Sequence, residues 1–419
     1  MTMNRHGKNV GSYITLFAAL LTGSTAFSSY ASVTWQGKIQ VSTFERNEWK
    51  SWLNRGWSNN RFDAQIDSVV ISRAWADVRV DLAQAWSLHS SMQYVPDPDD
   101  SLGFTEAYLK YNPLSNSPYQ WQVKLGGFYP AMSLENPSVG WSSPYTYSFS
   151  GINAWLGEEI RTFGTEIEWS RLGKRLRSPH DFSVHVGLFK GNDPAGSMLA
   201  WRGLASHDRQ SMFNESIYFN PVKALYERPL RFQAPFVAPF TEVDGRFGYY
   251  TGVHWDYQKR QQLRVYWYDN HGDPSAINFS TGQYAWDTRF LSVAWLYKLD
   301  KQTRIIAQWL DGKTSMGPRR GVDNNFSSWY ALISHQMDAH RISARIERSW
   351  VVDHDDWAFD PNASENKALT LAYRFNLNEH WQTGIEWLRQ DSHVVSRAAA
   401  GLAMDREESQ WRYVLEYQF

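Results

Sequence analysis

Gln410-Trp-Arg-Tyr-Val-Leu-Glu-Tyr-Gln-Phe419 is the stretch that decides the fold of this chain. Apolar side chains fall on every second position of this stretch, at Trp411, Tyr413, Leu415, Tyr417 and Phe419. This two-residue period predicts a β-strand with one apolar face and one polar face. Nothing follows Phe419 to cover the apolar face, so a soluble sheet would expose an aggregation-prone edge there. A closed barrel removes that edge, and lipid covers the apolar face.

Segments of the same kind recur along the chain, and the connections between them alternate between short and long. One short connection, 83–85, joins two alternating segments, whereas 130–161 and 190–247 are long. We count about sixteen segments, and an even number of strands with short turns at one end and long loops at the other is typical of bacterial outer-membrane barrels. The predicted fold is all-β: a transmembrane antiparallel up-and-down β-barrel over residues 32–419, with long extracellular loops and short periplasmic turns.

The distribution of aromatic residues supports a membrane barrel. The chain contains 22 each of Trp, Tyr and Phe, yet its mean hydropathy is -0.53, so these residues are dispersed among polar ones. Those next to the short turns would form a periplasmic girdle, and they are Trp35, Trp86, Trp121, Trp169, Phe182, Tyr257, Tyr297, Phe375, Trp381 and Phe419. The alternative is a soluble β-sandwich with an aromatic core, but a buried sheet does not require aromatic residues banded at strand ends.

The first 31 residues have the pattern of a secretory signal. Basic residues precede a short apolar run, Tyr13 to Ala26, and Ser29-Tyr30-Ala31 places small residues where a signal peptidase cleaves. We therefore expect residues 1–31 to be a cleaved signal peptide. The alternative, a membrane anchor, is weaker because the run is shorter than the ~20 residues that a spanning helix needs.

Composition narrows the possible partners and cofactors. The 42 Lys and Arg residues balance 43 Asp and Glu residues, so the net charge of -1 provides no argument for a nucleic-acid partner. The absence of Cys excludes disulfides, thiolate metal sites and a Cys nucleophile. We predict no cofactor and no metal site.

A barrel of about sixteen strands is wide enough to hold a water-filled lumen. The inward-facing strand positions carry charges of both signs, which favours the passage of small hydrophilic solutes with weak ion preference. The alternative for each charge is a solvated lumen residue without a specific role. The predicted pore-lining residues are Lys38, Arg73, Arg79, Glu106, Lys110, Lys124, Glu166, Glu168, His185, His254, Arg264, Arg304, Arg345, Glu347, Glu386 and Arg412.

The loop at 130–161 is the predicted constriction loop. It contains Leu134-Glu135-Asn136-Pro137 and the run from Ile152 to Arg161, and the loop at 190–247 is either extracellular or inserted into the lumen. With this layout and its closing strand, the chain is similar to Gram-negative porins, nearest to the phosphate-selective porin O/P group. Carboxylates interrupt the inward basic residues, however, and this argues against phosphate selectivity.

The resemblance implies a trimer in which the third long loop folds into the pore. It makes Glu135, Glu158, Glu159 and Arg161 candidate eyelet residues, and the full set for this loop is Glu135, Asn136, Trp155, Glu158, Glu159 and Arg161. The alternative is that Glu158 and Arg161 only cap or pair within a surface loop. The resemblance also implies a location in the outer membrane of a Gram-negative bacterium and contact with its lipid and lipopolysaccharide. It further implies that the barrel assembly machinery recognises the strand ending in Phe419.

Two further patterns, the inward aromatic residues and a His-x-Ser segment, each allow more than one interpretation. Inward aromatic residues could stack on solute rings or pack against an inserted loop, and they are Trp75, Tyr108, Phe128, Phe189, Tyr250, Tyr266, Tyr268 and Phe290. His89-Ser90-Ser91 has the His-x-Ser spacing of outer-membrane phospholipase, so a barrel enzyme is the alternative to a channel. A sleeve for a partner protein is another alternative. We predict a channel and no enzymatic activity.

Overall fold

The computed structural model describes residues 32–45, 48–64, 69–97, 101–226 and 230–419. The predicted signal peptide at 1–31 lies outside these ranges. Among the described residues, no helix has the length and apolar character needed to cross a membrane.

Sixteen antiparallel strands form one closed barrel, which confirms the predicted fold. The barrel strands are β1 Ser32–Phe44, β2 Val70–Ala83, β3 Trp86–Tyr94, β4 Leu102–Tyr111, β5 Tyr119–Phe128, β6 Thr162–Arg171, β7 His180–Lys190, β10 Gly248–Tyr257, β11 Gln261–Asp269, β14 Asp287–Lys298, β15 Thr303–Met316, β16 Val322–Met337, β17 His340–Asp353, β18 Ser364–Asn376, β19 Trp381–Val394 and β20 Asp405–Gln418. Four two-residue strands lie in loops: β8 Ile217–Tyr218, β9 Phe236–Val237, β12 Ile277–Asn278 and β13 Gln283–Tyr284.

Short helices lie only within connections of the described chain. They are α1 Gly151–Glu159, α2 Ser197–Trp201 and α3 Ser396–Ala399, with 3-10 turns at Trp52–Asn54, Val139–Trp141, Gly173–Leu176, Lys223–Leu225 and Leu230–Phe232. Ser150 caps α1, because its side chain accepts a hydrogen bond from the backbone N–H of Asn153. The helices therefore serve to shape loops rather than to build the wall.

The closing seam pairs the first strand with the last. Ile39 lies opposite Tyr417 and Val41 lies opposite Leu415 in an antiparallel register. The backbone N–H of Gly37 donates to the carbonyl of Phe419 at 3.2 Å, and the N–H of Phe419 donates back at 3.1 Å. The edge that the closing stretch would otherwise expose is thus paired along its length.

The outer face carries the apolar side chains expected to contact lipid. Trp35 is 66% exposed and packs on Phe419, with 5.1 Å between the ring centroids. Similar aromatic pairs continue along the rim of short turns, including Trp86 with Tyr111 at 4.6 Å and Trp381 with Tyr417 at 4.8 Å. This exposed aromatic belt at one rim is typical of a membrane interface.

The strand β16 is longer than its sequence suggests. Only a weak alternation near Trp329 to Ile333 marks it, yet its 16 residues pair with both neighbours. Its inward positions combine small polar residues such as Asn324 and Ser328 with large apolar residues such as Phe326 and Tyr330, and all four are buried. The apolar period is weak there because protein packed inside the barrel, and not water, covers this face.

Described residues of both long loops pack against inward-facing residues of the wall. We call 129–161 the third loop and 191–247 the fourth loop. A buried apolar cluster joins third-loop residues such as Trp155 and Leu156 to wall residues such as Phe290 and Phe326. A second cluster joins Trp201 of the fourth loop to Trp286 and other residues near the rim of long loops. The barrel interior therefore contains two stacked hydrophobic cores at the height of these loops.

Candidate functional site

The sixteen predicted pore-lining residues all occupy strand positions that face into the barrel, as the pairing of Lys38 with Trp75 and of Glu386 with Arg412 illustrates. They divide into two sets. Those near the short turns retain solvent contact, whereas those at the height of the loops are packed inside protein. Their roles in permeation remain predictions.

Residues near the short turns form ion pairs, either within one strand or between neighbouring strands. Arg79 is exposed and pairs with Asp81 at 2.8 Å, and Lys38 pairs with Glu416 at 2.9 Å. Arg264 pairs with Asp256 at 3.2 Å on another part of the wall. Each ion pair partly neutralises the charge of its part of the wall, so no single sign of charge dominates the electrostatic field in this half of the lumen.

A connected polar group lies on β5 to β11. Glu166 pairs with Lys124 at 2.8 Å and accepts a hydrogen bond from the Tyr250 hydroxyl at 2.7 Å. His185 lies 4.0 Å from His254 between ring centroids. Three more predicted residues lie in this region. Glu168 accepts a hydrogen bond from Gln122, and Glu106 accepts one from the backbone N–H of Tyr129 at 3.0 Å. Lys110 lies opposite Lys124 in the strand register.

The third loop is fixed to the wall by a fully buried ion pair. Arg345 on β17 donates to Glu135 of the loop at 2.6 Å, and neither residue is exposed to solvent. The same guanidinium donates to the carbonyls of Ser148 and Phe149 at 2.9 and 3.0 Å. Since all of these partners lie in the third loop, Arg345 specifies where the loop lies against the wall.

Two wall carboxylates bind the backbone of the third loop. Glu386 accepts hydrogen bonds from the N–H groups of Tyr147 at 2.6 Å and Ser148 at 2.8 Å. Glu347 accepts from the N–H of Gly151 at 2.7 Å, at the beginning of α1. A carboxylate at a helix N-terminus is favoured by both the free N–H groups and the helix dipole.

Glu158 joins the third loop to the fourth. Its carboxylate accepts hydrogen bonds from Arg202, one at 3.1 Å, and lies 3.3 Å from His207. Burial acts to raise the pKa of Glu158, but the attraction of Arg202 and His207 outweighs burial and holds that pKa well below its usual range. Glu158 is therefore charged at neutral pH although it is fully buried.

Glu159 has a different environment from its neighbour. It accepts hydrogen bonds from the Trp155 indole at 2.5 Å and from the N–H groups of Gly196 and Met198 at 3.0 and 3.1 Å. Burial raises the pKa of Glu159 to about 7, because the hydrogen bonds only partly offset the loss of water. Two adjacent glutamates on one loop thus titrate in separate pH ranges.

The other predicted residues of the third loop also have buried partners. Arg161 donates to the carbonyl of Ser211 at 2.6 Å and to that of Thr105 at 2.9 Å. Asn136 donates to the carbonyl of Trp141 at 2.8 Å. All six predicted residues of the third loop are buried.

Sequence reasoning missed a buried charge network that joins three connections to the wall strand β20. Asp208 of the fourth loop binds Arg61 at 2.9 Å and Arg412 of β20 at 2.7 Å. Asp97 binds Arg61 at 3.1 Å and Arg209 at 2.8 Å. Burial acts to raise the pKa of Asp208, but Arg412 and Arg61 hold it well below its usual range. Apart from Arg412, these residues lie in irregular segments, where no periodicity indicates which side chains face inward.

Cavities remain beside the packed loops. One of about 30 Å³ lies among Arg61, Asp208 and Arg412, which is room for about one water molecule. A larger cavity of about 350 Å³ lies near the short turns and is lined by Gln122, Glu168 and other polar residues. Space for water therefore remains both beside the packed loops and near the short turns.

The inward aromatic residues pack against the inserted loops. Phe128, Phe189, Tyr250, Tyr266, Tyr268 and Phe290 belong to the same buried cluster as Trp155 and Leu156, and Tyr108 packs against its edge. Trp75 is buried beside Gly140 of the third loop, where a Cβ atom would meet its ring at 2.2 Å. Packing, and not a free stacking surface, is the observed arrangement.

The His-x-Ser segment has a different hydrogen bond from the one that its spacing suggests. His89 bonds to Ser87 at 2.9 Å between Oγ and Nε2, and its ring stacks on Tyr108 with 4.9 Å between centroids. A similar pair joins Ser183 to His185 at 2.9 Å, with the Nδ1 atom of His185 lying 3.7 Å from Glu166 and from Glu168.

Comparison with known proteins finds similarity only at the level of structure. No family model matches the sequence. No curated protein matches it either. The outer membrane channel DcaP of Acinetobacter baumannii is similar with a TM-score of 0.56 and 10% sequence identity over 94% of this chain and 99% of that chain.

Two further structures of outer-membrane barrels show the same layout. A loop L8 deletion mutant of OmpT, an outer membrane protein of Vibrio cholerae, has a TM-score of 0.52 with 8% identity over 93% of this chain and 99% of that one. Salmonella typhi OmpF in complex with daunomycin has a TM-score of 0.50 with 10% identity, over 92% and 97%. At these identities the likeness shows the fold alone: the sixteen-strand barrel of this chain is similar to the structures of these outer-membrane proteins.

Proposed function

We propose that this protein is a porin-type channel of the Gram-negative outer membrane, which gives passive or facilitated diffusion of small hydrophilic solutes or ions. The observation that carries the proposal is the closed sixteen-strand barrel with an apolar belt outside and charged side chains of both signs inside. The likeness to structures described as outer membrane channels supports it.

The packed loops specify what kind of channel this would be. The third and fourth loops are held by buried ion pairs such as Glu135 with Arg345 and Glu158 with Arg202. Passage past these loops requires a narrow path or a displacement of the fourth loop, so we propose low conductance or conductance in brief openings. The similarity to the phosphate-selective porin O/P group is limited here to the barrel layout and the position of the third loop.

Planar-bilayer recording tests the proposal. We expect the purified, folded protein to give reproducible unitary currents and a measurable reversal potential in a salt gradient. A sample that retains heat-modifiable mobility in electrophoresis, and is therefore a folded barrel, but never conducts would contradict the channel. Mobility that is identical in unheated and boiled samples would count against the closed barrel itself.

The environment of the proposed channel follows from its surface. We propose an outer-membrane location after removal of residues 1–31, with lipid and lipopolysaccharide against the apolar belt and assembly through the strand ending in Phe419. We also propose a homotrimer, which is supported by one similar structure, described as the trimer form of Vibrio cholerae OmpT, at a TM-score of 0.50 and 9% identity. Native electrophoresis of protein extracted in mild detergent would distinguish a trimer from a monomer.

A hydrolytic barrel is the second candidate, and one observation favours it. Ser183, His185 and the carboxylates of Glu166 and Glu168 lie in the order of a nucleophile, a base and an orienting acid. Release of fatty acid from phospholipid vesicles by the wild-type protein, abolished in Ser183→Ala, would support this function. Equal activity in both proteins, or none in either, would remove it.

A further inference from the structure

Three arginines at the rim of short turns differ from lumen arginines such as Arg79 and Arg412, which form ion pairs with carboxylates. Arg304 is the second residue of β15, Arg341 is the second residue of β17, and Arg374 lies near the end of β18. Arg341 and Arg374 face each other across neighbouring strands. All three therefore lie on one wall, on the periplasmic side of the third loop.

All three guanidinium groups contact the same segment of the third loop. The ring of Tyr145 lies 5.9 Å from the guanidinium carbon of Arg304 and 5.6 Å from that of Arg341. The ring of Tyr147 lies 4.1 Å from Arg374, which also donates to the carbonyl of Ser143 at 3.1 Å. The arginines thus surround one short segment of the loop, and Arg304 and Arg341 remain partly exposed to solvent.

None of the three forms an ion pair with a carboxylate in the ranges that the structure describes. Arg341 donates to Ser334 at 3.0 Å and to Gln336, which are both neutral. Arg374 is 4% exposed, and its Nε–H group and that of Arg304 are buried without a hydrogen-bond partner among the described residues. Buried guanidinium groups without an anion are costly, so this arrangement favours a bound anion.

The nearby carboxylates are engaged elsewhere. The carboxylate of Glu416 attracts Arg374 electrostatically but forms no ion pair with it. This carboxylate instead accepts hydrogen bonds from the side chains of Lys38 at 2.9 Å and Gln40 at 2.7 Å. Glu386 is occupied by the backbone N–H groups of the third loop. Several other lumen arginines form ion pairs, as Arg79 does with Asp81 and Arg412 does with Asp208.

We propose that Arg304, Arg341 and Arg374 form a binding site for a small oxyanion, carrying a carboxylate or a phosphate group, that is entered from the periplasmic side. Guanidinium groups match the geometry of both kinds of oxyanion. The inference deepens the proposed function, since it names the class of solute that would pause beneath the third loop. Binding at this site does not itself require an open channel.

Ligand-observed NMR on the folded protein in detergent tests the site without any conduction. The probes are inorganic phosphate, followed by ³¹P line broadening, and succinate, followed by saturation transfer, both at low chloride. We expect at least one probe to bind wild-type protein and to bind Arg304→Gln/Arg341→Gln about tenfold more weakly, because two charge-assisted donors are lost. Arg348→Gln, which removes an exposed arginine from the outer face, is the matched control and should bind like wild type.

Each outcome decides something. Binding of phosphate alone or of succinate alone supports the site and identifies the oxyanion. Absence of binding by wild-type protein, or equal binding by the double variant, overturns the site. If the double variant loses its heat-modifiable mobility, the single variants Arg304→Gln and Arg341→Gln give the same comparison. A closed channel in bilayers combined with arginine-dependent binding would reject the channel and retain the site.

Discussion

Arg345 and Glu135 form an ion pair of 2.6 Å in which neither side chain is exposed, and this pair connects the barrel wall to the third loop. Removing one partner leaves the other charge buried and unpaired, which costs about 3–5 kcal/mol. We expect Glu135→Ala to lower the unfolding free energy of the barrel by about this amount, as measured by urea titration of Trp fluorescence.

The control for this variant is Glu365→Gln, because Glu365 forms an exposed ion pair with Arg348 at 2.9 Å on the outer face. An exposed pair contributes less than about 1 kcal/mol. Equal stability of the two variants would show that the buried pair does not hold the loop.

The pair between Glu158 and Arg202 holds the fourth loop against the third. We expect Arg202→Met to loosen the fourth loop and to increase the unitary conductance, or the fraction of time in the open state, in planar bilayers. Arg231→Met is the matched control, because Arg231 is an exposed arginine of the same loop. Unchanged conductance in Arg202→Met, with the barrel still folded, would show that the fourth loop does not limit passage.

The pKa of Glu159, raised to about 7 by burial, predicts a pH dependence of loop stability. A carboxyl group whose folded pKa exceeds its unfolded value, about 4.5, destabilises the fold when ionised. The packing of the third loop on the fourth should therefore strengthen as pH falls from about 8 to about 5. Resistance of the loops to limited proteolysis measures this packing.

Glu159→Gln should flatten this pH dependence, because an amide keeps the shape of the group without titrating. Burial also raises the pKa of Asp193 and that of Asp360 to about 6, so part of the dependence should remain in the variant. An unchanged pH profile in Glu159→Gln would contradict the role of Glu159. Glu158 stays ionised over this range and contributes no slope.

Trp155 is the central apolar contact of the third loop. Its ring lies 5.3 Å from Phe290 and 5.4 Å from Phe326 between centroids, in edge-to-face geometry. We expect Trp155→Ala to cost about 3–5 kcal/mol through the cavity it leaves. Trp155→Phe should cost less, and urea titration should separate the two. A similar loss in both variants would assign the effect to the lost indole hydrogen bond with Glu159.

The fold could be predicted from the sequence because each strand has two different environments, lipid outside and a polar interior. The alternation of Trp411, Tyr413 and Leu415 with Arg412 and its neighbours reports this difference directly. The signal weakens in β16, where packed protein covers the inner face and uncharged residues, among them Phe326 and Leu332, replace charged ones. The same alternation on β17 and β18 could have identified Arg341 and Arg374 as inward residues.

The candidate site could be predicted only in part. The position of Arg345 on an inward face follows from its strand, but its partner Glu135 lies 210 residues earlier in the chain. Contacts such as Asp208 with Arg61 join irregular loops, where neither period nor spacing indicates a neighbour. Such pairs depend on how the loops fold inside the barrel, and that information lies in three-dimensional packing.

The hydrogen bonds between Gly37 and Phe419 give the closing seam the geometry of a β-hairpin from which the turn has been removed. The first and last strands therefore pair in the same way as strands that are consecutive in the chain. A circular permutant could begin inside another short turn, such as the connection at 112–118, and join Phe419 to Ser32 through a linker long enough to run beside residues 33–36, which extend beyond Phe419. In that molecule the aromatic end of β20 would become internal, which would separate its contribution to the barrel from any contribution as a terminal recognition sequence.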